Sequence, residues 1–306
     1  MSALPKDLDA RIAAQVAEYR RHALADPANE AARRASDDKL QTYASNAIEG
    51  SSLTVDETVT LLDDGLTAAG KPMRDHRDAE ATYKAIQTAR GLITGERPVS
   101  QADIRTLHAI VVGSTHPDIA GTYARTGRTV SGREGFAFPE PESIGPLMTD
   151  FVDALNSGNG GIEGAALAHL GLVSIHPFPD GNGRTSRILM NALLERDGYP
   201  AIVIDPERHR NAYIDTIAQF QTDGDAEPFN TFVKERMVES LSRANGFLER
   251  QRRGPLDRPA DQSLSANALS LQTLRTAILS VEDPARRKAA EGLVDALSSR
   301  GAERGD

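Results

Sequence analysis

The sequence predicts a mainly α protein with one small β-hairpin, on three observations. Apolar residues recur every three or four positions through most of the chain, the period of a helix with one buried face. Trp is absent, and Tyr and Phe together number fourteen of 306 residues, so the 39% apolar fraction is carried mainly by aliphatic residues and not by the aromatics that crowd β structure. One segment departs from the helical period: Arg128 to Phe138 reads RTVSGREGFAF, with β-branched and aromatic residues flanking a Gly-Arg-Glu-Gly turn.

The elements follow in order. Leu8, Ile12, Val16 and Tyr19 put an apolar stripe on a helix over 8–24, which needs a neighbour to cover it. A second helix runs through Tyr43, Ala44, Ala47 and Ile48 and stops at Gly50, since glycine tolerates the left-handed turn that ends a helix. Thr54 and Glu57 form a capping box ahead of Val55, Val59, Leu61 and Leu62. Helices follow over 83–92, 104–112 and 144–155, and Gly158, Asn159, Gly160 and Gly161 mark a loop. Ala165 to Ile175 is an apolar run that makes a buried helix ended by Pro177, and another apolar helix begins after Gly183 with Ile188, Leu189 and Met190. Beyond about residue 240 the chain becomes polar and Pro-containing (ERQRRGPLDRPADQS), a linker to two more helices. One carries Leu264, Leu271, Leu274 and Ile278; the other opens at Asp283-Pro284 and closes at Gly301. Three segments result: a helical arm 1–36, a central domain 37–240, and a linker with helical tail 241–306.

Composition narrows the function. The 44 acidic residues outnumber the 35 Lys and Arg, and a net charge of −9 argues against a surface built to grip nucleic acid or anionic lipid. With no cysteine, disulfides, thiolate nucleophiles and Cys-ligated metals are excluded, so any reactive group is a hydroxyl, amine, carboxylate or imidazole. The N-terminus, MSALPKDLDARIAAQVAEY, has no apolar core of signal-peptide length, and no stretch approaches the ~18 apolar residues of a membrane span. The expectation is a cytoplasmic protein without membrane contact.

The chemistry concentrates between the two apolar helices, in His176 to Gly183. Gly181-Asn182-Gly183 stands at a helix entrance, where free amides and the helix dipole attract an anion and glycine lets a phosphate come close. Arg184 and Arg187 lie in the first turn on one face, where the dipole disfavours each cation by about 0.3–1 kcal/mol. An anion bound there reverses that penalty, and a forked guanidinium suits phosphate oxygens. Asp180 can contribute one carboxylate to Mg²⁺, and His176 is a ring able to accept a proton near neutral pH. Together they point to nucleotidyl or phosphoryl transfer, or hydrolysis, at a bound nucleotide.

These residues spell H-x-F-x-[DE]-G-N-G-R-x-x-R, and in His176, Phe178, Asp180, Gly181, Asn182, Gly183, Arg184 and Arg187 the chain resembles the Fic family. The likeness covers roughly residues 40 to 236, with Thr106 to His108 (TLH), the hairpin at the family's flap position, a GYP ahead of Tyr213, and EPF at Glu227 to Phe229. The resemblance implies a Fic-type helical bundle with a small β-hairpin flap and, for most members, transfer of AMP from ATP to a hydroxyl of a target protein. By the same resemblance His176 would take the hydroxyl proton, Asp180 would bind Mg²⁺, and Asn182 with the amides around Gly181 and Gly183 would hold the α-phosphate. Arg184 and Arg187 would hold the outer phosphates, Tyr213 would lie toward the nucleotide, and Phe178 would anchor the core. The flap, through Val130, Ser131, Gly132 and Phe138, would align the target by adding a strand. Gly183 speaks against the phosphorylating branch, which typically carries Lys there. Ala124 stands where members often have Arg, with Arg125 and Arg128 as nearby substitutes, and no clear Asn follows Tyr213.

Ser45-Asn46-Ala47-Ile48-Glu49-Gly50 resembles the family's inhibitory motif, S/T-x-x-x-E-G/N. Glu49 ends its helix at the negative pole of the dipole, as misplaced as the two arginines are at their helix start. A bidentate pair of Glu49 with Arg187 would resolve both and fill the γ-phosphate position. The reading is an autoinhibited protein adenylyltransferase using ATP and Mg²⁺ on an unidentified target protein, with a second copy of the chain as a further partner. Alternatives are a hydrolase that removes AMP at the same site, a nucleotide-responsive binding module without turnover, and a metal hydrolase built on His169, His176 and Asp180.

Overall fold

Ten α-helices make up the regular secondary structure of the residues described, 4–128 and 137–253, in a computed structural model. They are α1 (Leu4–Ala25), α2 (Pro27–Ile48), α3 (Val55–Asp64), α4 (Met73–Leu92), α5 (Gln101–Gly113), α6 (Pro141–Ser157), α7 (Gly161–Ile175), α8 (Asn182–Arg196), α9 (Arg210–Asp223) and α10 (Glu227–Arg253). The helices up to Glu249 form one compact unit; the second unit, Arg250–Asp306, lies outside the described residues save for the end of α10. The tail helices expected around Leu264 to Gly301 therefore fall outside them too. No described helix is long and apolar enough to cross a membrane.

Local chemistry sets the helix limits. The Thr54 hydroxyl accepts from the Glu57 amide while the Glu57 carboxylate accepts from the Thr54 amide, the reciprocal box expected at the start of α3. Ser100 and Asp103 repeat it at α5, and the Asp26 side chain caps α2 by accepting from the Asn29 amide. Gly50, at φ 96°, ends α2 as the sequence suggests.

At the centre lie α7 and α8, packed closely on each other. Ile188, Leu189, Met190, Leu193 and Leu194 of α8 are all buried, as are Thr185, Ser186 and Arg187 between them, so α8 is covered on every side. Around it stand α2, α4 and α5. Ile12, Val16 and Tyr19 of α1 enter the same core, which covers the stripe read in the sequence.

Charged pairs tether the central part of α2. Arg90 of α4 bridges the buried Asp38 of α2 and Glu195 of α8. Arg33 reaches Glu30 at 2.8 Å and also Asp37, and Tyr19 of α1 donates to Glu30 at 2.7 Å. Two expected boundaries need correction. The limit at 36–37 falls inside α2, because nothing between Pro27 and Ile48 breaks a helix and these ion pairs reward its continuity. The limit at 240–241 falls inside α10, where Leu241, Ala244 and Leu248 are buried and no breaker occurs before Gly254-Pro255. The spacing of apolar residues did not announce α9.

Two histidines of the core are neutral. His108 stacks on Phe178 at 3.7 Å and 3°. Its Nδ1 accepts from the Gly121 amide at 3.0 Å, so the hydrogen sits on Nε2, which donates to the Asp180 carbonyl at 2.9 Å. Burial pushes its pKa down to about 4 and that of His169, on α7, to about 3, against an ordinary 6.5. Below pH 6.5 the unfolded chain takes up protons that these rings refuse in the fold, so stability should fall as pH drops from 6.5 toward 4. Thermal melts at pH 7.5 and 5.0 test this: a lower Tm at pH 5.0 is expected, with a smaller difference in His108→Gln, and equal Tm values would refute it.

Candidate active site

The turn between α7 and α8 starts in a left-handed conformation. His176, the C-cap of α7, has φ 51° and ψ 54°, and it is the one non-glycine residue with positive φ among the described residues. That conformation costs an L-residue roughly 1–2 kcal/mol, and a following proline disfavours it further, so the fold holds His176 there against local preference. The Val173 carbonyl can only accept, so Nδ1 of His176 donates to it (3.3 Å) and Nε2 keeps its lone pair. Loss of hydration, with Arg128 adding to it, lowers the His176 pKa to about 4, so the ring is unprotonated at neutral pH.

Three side chains fix the loop that follows. Phe178 is fully buried against His108 and Tyr123. Asn182 spans the turn, accepting from the Phe178 amide at 2.9 Å and donating to its carbonyl at 2.7 Å. With both polar atoms on the backbone of Phe178, the Asn182 side chain braces the loop, and the first-turn amides of α8 have no side-chain cap. Gly181, the N-cap, has no side chain to bond them. A Cβ on Gly181 would lie 2.7 Å from Val112, and its φ of 75° excludes most residues besides. Gly183 is required by its neighbours instead: a Cβ there would strike the Glu49 carboxylate and lie 3.1 Å from Arg187 Nη1.

The two arginines reach carboxylates by different routes. Arg184, 3% exposed, pairs with Asp78 of α4 at 3.2 Å and with Asp180 at 3.5 Å. Asp78 in turn accepts from Thr115 at 2.9 Å. Arg187 pairs with Glu49 through a single oxygen, Nη2 to Oε1 at 2.7 Å, so the expected bidentate geometry is corrected. Three further bonds hold it: Nε donates to Ser45 Oγ at 2.9 Å, Nη2 also to the Ser45 carbonyl at 3.0 Å, and Nη1 to the Tyr213 hydroxyl at 3.1 Å. Tyr213 is 3% exposed with its hydroxyl so engaged, which corrects its placement against the nucleotide; it meets the site through Arg187. Ser45, Glu49 and Gly50 come together at the end of α2, where Arg210 also donates to the Ile48 carbonyl at 3.2 Å.

Of the flap, Val130, Ser131 and Gly132 lie outside the described residues. Its base is seen. The Phe138 amide donates to the Arg128 carbonyl at 3.1 Å, and the Phe138 ring stacks on His176 at 3.8 Å. Arg128 donates to the His176 carbonyl and, at 2.8 Å, to that of Pro139. Sequence reasoning missed Asp78, Arg74 and His116, which gather at the Asp180 rim; only their approach in space marks them.

Asp180 is half-exposed, with Oδ1 accepting from the Gly181 amide and Oδ2 facing Arg184, Arg74 and His116. No group of three His, Asp or Glu able to hold a metal occurs among the described residues. One accessible carboxylate beside a phosphate cradle still suits Mg²⁺, which takes most of its ligands from phosphates and water. A hydrolase centre on His169, His176 and Asp180 is excluded by geometry: His169 is fully buried, and its Nε2 lies in hydrogen-bond contact with the Tyr213 hydroxyl at 2.8 Å.

Comparison with known proteins agrees with this geometry. The profile of the Fic/DOC family matches residues 98–194. The protein adenylyltransferase Fic of Drosophila grimshawi is 35% identical over 220 residues, 70% of this chain and 44% of that protein. That of Nematostella vectensis is 37% identical over 196 residues, 62% of this chain and 45% of that protein. The chain thus spans less than half the length of the curated relatives it matches. Among solved structures, a Fic domain containing signaling protein from Bacteroides thetaiotaomicron superposes with a TM-score of 0.72 at 26% identity, covering 78% of this chain and 97% of that one. By motif, profile and fold alike, the chain contains a Fic/DOC family domain.

Proposed function

We propose that the protein is an autoinhibited protein adenylyltransferase that moves AMP from ATP to a hydroxyl of a target protein. The observation that carries this reading is the Glu49–Arg187 contact, which joins the end of α2 to the arginine of a phosphate cradle beside a neutral histidine. In the reaction, the target hydroxyl oxygen bonds to the α-phosphorus, its proton passes to Nε2 of His176, and the bond to the β-phosphate oxygen breaks to release pyrophosphate. The first-turn amides of α8 receive the α-phosphate, and Arg184 and Arg187 the outer phosphates, exchanging carboxylate partners for phosphate oxygens. Asp180 would hold Mg²⁺, which supplies charge neutralisation on the phosphates. Arg128 and Phe138 steady His176 from the flap side, and the flap aligns the target segment. The half-exposed Glu49 can turn toward solvent without any change in α2, which makes the inhibition reversible.

A second reading keeps the site and reverses the outcome. Glu49 engages Arg187 through Oε1 only. Its other oxygen would orient a water toward an AMP-modified hydroxyl, so pre-modified target incubated with the wild-type protein distinguishes the two activities. A binding module without turnover is disfavoured, since a strained, neutral histidine serves no binding purpose.

Glu49→Gly should raise labelling of target or self from [α-³²P]ATP by about tenfold or more, the equivalent of losing ~1.4 kcal/mol of charge-assisted contact. Equal labelling by wild type and variant would remove the inhibitory role. In the Glu49→Gly background, His176→Ala should lower transfer by about 10²–10⁴-fold while ATP affinity by calorimetry stays within about twofold, since a base acts on the proton and not on the phosphates. The pH profile follows from the lowered pKa of about 4: transfer should hold level from pH 8 to near 5 and fall only around pH 4. An acid limb centred near 6.5 would show His176 to be hydrated and ordinary in the working enzyme.

A further inference from the structure

Arg187 is 5% exposed, so its five N–H donors must find protein acceptors. Ser45 takes two and Glu49 one, and Tyr213 takes another through its hydroxyl oxygen. Three of these four bonds remain when Glu49 leaves, which is what a working phosphate site requires. The Tyr213 bond differs from the others in being conditional. A phenolic hydroxyl carries one proton, on either side of the ring axis, and it turns a lone pair to Arg187 only when that proton is committed to the other side. His169 Nε2, at 2.8 Å, is where the proton goes. The Tyr213 oxygen already accepts from Arg187, and Nε2 is the acceptor in reach of its proton among the described residues, so a ring with its hydrogen on Nδ1 lets that proton be used.

The surroundings of His169 argue that the contact is its purpose. The ring is wholly buried, stacks on Phe229 at 4.9 Å, and leaves Nδ1 without a hydrogen-bond partner. An apolar side chain would fill that space without an orphaned polar atom. We infer that His169 and Tyr213 are positioning residues: His169 accepts the tyrosine proton so that the tyrosine oxygen faces Arg187 and fixes its guanidinium where the terminal phosphate of a nucleoside triphosphate binds. The inference rests on the nucleotide reading above and deepens it. Neither residue touches the nucleotide, and Phe229 and Phe232 hold the tyrosine ring in place from behind.

The test compares ATP with AMP, which lacks the phosphates Arg187 would hold. Calorimetry is run on the full chain carrying Glu49→Gly, then with Tyr213→Phe, His169→Leu, both together, and His169→Gln, whose amide oxygen can accept in the place of Nε2. Each of Tyr213→Phe and His169→Leu should weaken ATP by about tenfold, the scale of one hydrogen bond to a buried charge, with AMP within about twofold. The double variant should lose no more than either single one, because both break one chain of bonds. His169→Gln should stay within about threefold of the parent. Equal losses for ATP and AMP, or losses that multiply in the double variant, would overturn the inference and leave ordinary packing. Should His169→Leu fail to fold, Tyr213→Phe, which keeps the ring, decides by its ATP to AMP ratio. A Glu49→Gly parent that binds no ATP would instead overturn the nucleotide reading itself.

Discussion

The buried guanidinium of Arg187 is the constraint on which the site depends. A charge removed from water must be paired and hydrogen-bonded or it destabilises the fold by several kcal/mol. Burial opposes the charge, yet Tyr213 and Glu49 hold the pKa of Arg187 above its ordinary value. Meeting that demand brings together three parts of the chain far apart in sequence: Ser45 and Glu49 at the end of α2, Arg187 in α8, and Tyr213 in α9. The same bonds that satisfy the arginine place a carboxylate beside a site built for phosphate.

Both helix ends at this junction carry the charge their dipoles disfavour. Arg184 stands in the first turn of α8 and Arg187 in the second, and Glu49 caps the last turn of α2. Glu49 offsets Arg187 and Asp78 offsets Arg184, each a carboxylate set against a cation near the start of α8. Arg184 and Asp78 repeat the theme on the α4 side, with the guanidinium Nε left without a partner.

What stays fixed during such an exchange is the scaffold. Asp38 with Arg90 of α4, Glu30 with Tyr19 of α1 and Asp37 with Arg243 of α10 tie α2 to its neighbours well before Glu49, while Arg33 braces Glu30 and Asp37 within the helix. Breaking a buried pair of this kind costs about 3–5 kcal/mol, more than one half-exposed carboxylate contact returns, so movement belongs to the Glu49 side chain and not to the helix. On the other side of the loop, His108, Phe178 and Asn182 lock the turn through a ring stack and four hydrogen bonds to backbone.

The sequence by itself determined the fold class, the helices up to α8 and the motif from His176 to Arg187, because periodicity reports burial locally and phosphate chemistry demands particular residue types at fixed spacing. It also marked Ser45, Glu49 and Gly50 as a unit. Tertiary structure alone decided who meets whom: that Asn182 turns inward to brace its own loop, that Glu49 gives Arg187 one oxygen while Ser45 and Tyr213 take three more of its donors, that Tyr213 stands behind the arginine, and that Asp78 holds Arg184. The reason is that a polar side chain's partner is set by the distance and direction of groups brought near by packing, and neither quantity is written in the spacing of residues along one strand of sequence.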